Sequence, residues 1–168
     1  MFKKEYLFSY IKWGILAAIA FCIPMILFIK SDDYTATWWL YLGNVLFLVI
    51  SAIHMLVFNK NQNENASTQT MMAAGHITTL LGIVISCIVA VIALMIFIPD
   101  IFNSGISAKV MEDAPSQTGT GKTHGLVLFV FMNAIIGNFC GGSFSSILIP
   151  YSARKNQTKD KKSEVVNN

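Results

Sequence analysis

Four stretches of this chain hold no Asp, Glu, Lys or Arg: Trp13–Ile29, Trp38–Phe58, Ile77–Ile98 and Leu126–Ile149. Each is about 17 to 25 residues long. At 1.5 Å per residue that is the length needed to cross roughly 30 Å of hydrocarbon as a helix. Lipid offers nothing to satisfy a bare N–H or C=O, so such runs must be helical or belong to a closed barrel. A barrel requires strict alternation of apolar and polar residues, and these runs do not alternate. The fold class expected is therefore all-α, an integral membrane four-helix bundle.

Composition agrees with that reading. Hydrophobic residues make up 54% of the 168 and charged residues only 12%, with a mean hydropathy of +0.58. An ordinary soluble domain carries about twice that charged fraction. The balance excludes a disordered tail, a basic nucleic-acid binder and a disulfide-stapled secreted domain. Cys22, Cys87 and Cys140 each fall inside an apolar run without metal-ligand spacing, and read as small residues packed between helices.

Orientation follows from counting Lys and Arg in the flanks. The N-terminal flank, the Asn59–His76 loop and the C-terminal tail hold nine, whereas the Lys30–Thr37 and Pro99–Gly125 loops hold three. Both ends are thus expected in the cytoplasm, N-in and C-in, with 1–155 as one transmembrane domain and 156–168 as a polar, disordered tail. Lys3 and Lys4 precede the first run in the manner of a signal peptide, and Ala18-Ile19-Ala20 has the form of a cleavage site. The run continues past it to Ile29 with no polar region, so an uncleaved first span is expected. Aromatic anchors fit the same map, with Tyr6, Tyr10, Trp13 and Tyr151 inside and Trp38, Trp39 and Tyr41 outside. Pro99 and Pro150 are expected to end the third and fourth spans, and Pro24 to lie within the first. The outer Pro99–Gly125 loop, with apolar Ile106, Val110 and Met111, has the make-up for a short helix lying on the outer surface.

Helices in lipid meet through small residues and polar side chains. Gly14, Ala18 and Cys22 recur every four residues in the first span. The second carries Gly43, Asn44, Ser51 and Ala52; the third carries Gly75, Thr79, Gly82, Ser86, Ala90 and Ala93. The fourth is the most polar. Asn133, Gly137, Gly141 and Ser145 form one row, with Asn138, Gly142 and Ser146 in the row beside it. These positions are the candidate helix-packing or polar-cleft residues. A buried Asn needs a partner, so it must face protein or water rather than lipid. His54 and His76, near the inner ends of the second and third spans, could face each other and read as interfacial residues rather than ligands.

One stretch looks catalytic. Ser116-Gln117-Thr118-Gly119-Thr120-Gly121-Lys122-Thr123 resembles the nucleotide-binding loop of kinesin motors, Gly-Gln-Thr-Gly-Thr-Gly-Lys-Thr, differing at Ser116. The resemblance implies backbone N–H groups cradling phosphates near Gly119 and Gly121, Lys122 on the terminal phosphate and Thr123 on Mg²⁺. Such a loop needs a preceding strand in a doubly wound sheet, and here it follows a membrane helix on the outer side. The match is read as coincidental, and neither nucleotide nor nucleic acid is expected as a partner. Asn65-Ala66-Ser67 and Asn156-Gln157-Thr158 have glycosylation spacing but fall on the cytoplasmic side.

By length, hydropathy and the Trp13-Gly14 and Pro99-Asp100 landmarks, the chain resembles small four-pass bacterial inner-membrane proteins of unknown function. That resemblance implies a multi-pass protein of the bacterial inner membrane and carries no activity with it. The spans contain neither paired carboxylates nor a nucleophile–base pair. The expected role is a non-enzymatic accessory or interaction component without a cofactor, in contact with the lipid bilayer and with a second copy or a membrane partner. The alternative is a small-molecule channel or exporter with a polar path along the fourth span.

Overall fold

The computed structural model describes residues 4–31, 33–61, 67–98 and 121–166. Helix α1 runs Lys4–Ser31, a 3-10 turn Tyr34–Thr37 leads into α2 at Trp38–Asn61, and α3 spans Thr68–Phe97. Then come α4 at Gly121–Met132, a π turn at Asn133–Gly137 and α5 at Asn138–Val166. Among the described residues there is no strand. Four helices are long and apolar enough to cross a membrane: Tyr6–Ser31, Thr35–Asn61, Thr68–Phe97 and Gly125–Ala153. The last is built jointly from α4, the π turn and α5 and is called span four below.

Polar residues set the ends of these helices. Ser67 caps α3, its Oγ accepting from Thr70 N at 3.2 Å, and Asp33 accepts from Thr35 N at the head of the 3-10 turn. Such caps satisfy N–H groups that have no partner inside the helix. The helices extend beyond the uncharged runs, because nothing in the flanking residues stops them once the bilayer has forced the first turns.

The fourth run ends differently from expectation. Pro150 lies inside α5 instead of closing it, and α5 carries on to Val166 over the stretch expected to be a disordered tail. A proline removes one N–H bond, to Ser146 O, and leaves the rest of the ladder available. Residues 151–166 contain neither Gly nor a second Pro and include Ala, Arg, Lys, Gln and Glu, so helix propensity favours continuing it. Pro24, as expected, is inside α1. The outer-loop features expected at 99–120, including the surface helix and Ser116–Thr120 of the phosphate-loop lookalike, lie outside the described residues; Gly121–Thr123 form the first turn of α4.

The bundle has a simple arrangement. Helix α1 packs against α2 and α3, and span four packs against the same two from the opposite side. One apolar cluster holds Phe21, Met25, Phe28, Leu40, Phe47, Leu94, Leu126 and Val130. A smaller one, nearer the N-terminus of α1, holds Tyr10, Phe58, Met71 and Ala74. The outward faces carry large apolar side chains such as Phe8, Leu128 and Ile96, exposed by 63 to 73%. So broad an apolar exterior suits acyl chains as its neighbours and exceeds what a soluble monomer shows.

Candidate functional site

Between the two apolar clusters runs a belt of small and polar residues contributed by all four spans. Gly14 belongs to α1, Ser51 to α2, Thr78 and Thr79 to α3, and Asn138, Gly142, Ser145 and Ser146 to α5. Each of these side chains or positions is buried, and a Cβ built on Gly14 would meet Leu81 Cβ at 3.1 Å and Thr78 O at 3.2 Å. Close approach therefore explains the glycines. A Cβ on Gly82 would meet the Phe47 ring at 2.8 Å and Gly14 O at 3.3 Å, so α1, α2 and α3 converge where only hydrogen fits.

The two rows of span four divide their work. Gly137 lies against the Asn44 amide of α2, its hypothetical Cβ 2.5 Å from Nδ2, and Gly141 faces Leu48 at an ordinary 3.4 Å. Gly142 lies against Thr79 of α3, and Gly75 of α3 against Ser146. The first row thus faces α2 and the second faces α3. Ser145 and Ser146 both donate to Gly142 O, at 2.9 and 2.6 Å. Hydroxyls that bond back to their own helix add no demand for outside partners.

The asparagines are organised around the π turn. The Asn138 N–H reaches back to Asn133 O, five residues earlier, so Ala134 O loses the donor an α-helix would give it. Asn138 replaces that donor with its own side chain, Nδ2 bonding to Ala134 O at 3.2 Å. Asn133 Nδ2 donates to Phe129 O at 2.9 Å, and its Oδ1 accepts from Asn44 Nδ2 at 2.8 Å. That last bond joins α2 to span four. The π turn itself has a geometric use. An α-helix turns about 100° per residue, so a row of every fourth residue drifts ~40° per step. Yet Leu126, Val130, Ala134, Asn138, Gly142, Ser146 and Pro150 are all buried. The π turn rotates less per residue and cancels part of the drift.

Sequence spacing alone indicated the small-residue rows; it gave no sign of the π turn or of Asn44 as the partner of Asn133. Asn133 is half-buried and Asn138 fully buried. Buried atoms without a partner among the described residues include Asn44 Oδ1, Asn138 Oδ1, Thr79 Oγ1 and Ser51 Oγ.

Two expectations need correction. His54 does not turn towards His76: it is fully buried within the bundle, with its ring centroid 5.6 Å from that of Trp13, 6.1 Å from that of Tyr10 and 6.1 Å from that of Phe58. His76 has its Nδ1 2.8 Å from Met72 O of its own helix. The i and i+4 spacing of His54 and Phe58 places both on the α1-facing side of α2, which the simple count of turns from the membrane edge overlooked. Nor are all three cysteines packed between helices, since Cys22 is buried, Cys87 half-buried and Cys140 exposed. Among the described residues no group of three His, Cys, Asp or Glu comes together.

Comparison with protein-family models, with curated proteins and with solved structures finds no match to this chain. What can be said of the protein's class thus rests on its fold: among the described residues it is all-helical, with four helices of membrane-crossing length and apolarity.

Proposed function

We propose that this is a non-enzymatic accessory or interaction protein of the bacterial inner membrane, a self-contained four-helix bundle with both ends in the cytoplasm. The observation that carries the reading is the engagement of span four. Both of its small and polar rows are already docked inside the chain, on Asn44 and Leu48 of α2 and on Thr79 and Gly75 of α3. Its asparagines bond to Asn44 and to backbone carbonyls of their own span. Residues so employed specify the bundle and leave its bulky exterior for lipid, for a second copy or for a membrane partner.

The experiment is a double substitution, Gly137→Leu with Gly141→Leu, followed by size-exclusion and thermal unfolding in detergent. The expected result is loss of the folded species, with Gly137→Leu the larger contributor because Asn44 leaves it no room. Unchanged assembly and stability would overturn the reading. A polar path along span four makes the opposite demand, that Asn133 and Asn138 be open to water. Cysteine at 138, in a background without the native cysteines, is expected to stay unlabelled by an impermeant thiol reagent from either side; labelling would favour the channel or exporter. The N-in, C-in orientation is supported by the charge count and is tested by reporters fused after Gly119 and at Asn168, expected outside and inside respectively.

A further inference from the structure

His54 sits where an ionisable side chain has little to do. Both ring nitrogens are buried and neither has a partner among the described residues. Its walls are aromatic: Trp13 and Tyr10 from α1, and Phe58 one turn further along α2. Tyr6 of α1 then closes on Phe58 at 5.8 Å. His76 shows what a histidine in these helices does by default, placing Nδ1 on the carbonyl four residues back. His54 forgoes that bond and fills the seam between α1 and α2 with its ring.

We propose that His54 is a proton-operated latch holding the inner ends of α1 and α2 together. As the neutral ring it packs between Trp13 and Tyr10. On taking a proton it carries two N–H donors and a charge into a pocket whose described walls supply no carboxylate. Among the described residues the titratable group in contact with it is Tyr10. Tyr6 stands behind Phe58, His76 is turned onto α3, and Lys12 and Lys60 are exposed. From α3 the adjoining cluster contributes Met71 and Ala74, and from α5 Ala153, none of which ionises. The charged ring is therefore driven towards water. That lies past Asn61, seven residues or about 10 Å along α2. Its departure parts α1 from α2 at their inner ends. The sign is fixed: the seam is closed at neutral pH and opens as pH falls.

Trp13 reports this directly. With Trp38→Phe and Trp39→Phe, it is the remaining tryptophan of three, its ring centroid 5.6 Å from that of the imidazole. The protein is reconstituted in phosphatidylcholine nanodiscs and its emission followed from pH 8 to pH 3. The expected result is a loss of intensity with a red shift as pH falls, reversible on return to pH 8. The same titration is run on His54→Asn and His54→Phe, with circular dichroism to confirm helix content; both are expected to stay flat, and either folded variant suffices. A flat trace with His54 in place, or an equal transition in a folded variant without it, would overturn the latch.

Discussion

At the scale of single residues, the bundle is specified by side chains that are absent as much as by those present. Gly142 has Thr79 where a Cβ would go, whereas Cys140, two residues earlier on the same span, is exposed. Gly142→Val is expected to cost about 1–3 kcal/mol or more through overpacking, and Cys140→Val close to nothing. Thermal unfolding in a mild detergent separates the two. The Asn44–Asn133 bond belongs to the same scale. Interhelical hydrogen bonds in membranes average about 0.6 kcal/mol and reach ~1.7. Asn44→Ala removes a bond and leaves Asn133 Oδ1 exposed to an apolar seam, so a loss in that range is expected. The small-residue rows were legible from spacing because close helix approach demands small side chains at steps of three and four. Which asparagine pairs with which was not legible, since an Asn–Asn bond between α2 and span four depends on rotation about each helix axis. That His54 turns to α1 and not to His76 was hidden for a related reason: depth in the membrane says nothing about which face of α2 a residue occupies.

At the scale of elements, span four is the irregular one, and its irregularity has a register to keep. The π turn accommodates one residue more than an α-helix would. Deleting Ile136, a lipid-facing member of that turn exposed by 49%, is expected to convert it to plain α-helix with Leu126 and Val130 still buried. Deleting Ile88, similarly exposed on α3, turns the rest of α3 by about 100° and takes Ala90, Ala93 and Leu94 off their interface. The first deletion should retain a cooperative unfolding transition in detergent and the second should lose it; equal tolerance would show that the π turn sets no register. The apolar lengths made the existence of the helices legible, for lipid leaves a chain of that composition no alternative. Their ends were less so. Pro150 read as a stop, yet α5 passes through it, because a single missing N–H does not outweigh sixteen following residues without a breaker.

At the scale of the whole molecule, two apolar clusters are separated by a polar belt, and the exterior is apolar over all four spans. Such a molecule folds where water is excluded from its sides and where polar side chains find one another across the helices. The most direct measurement is where the native protein resides. After gentle lysis the chain is expected to sediment with membranes, to stay there through an alkaline carbonate wash and to enter solution only with detergent. Recovery of folded chain in the soluble fraction, without detergent, would contradict the account.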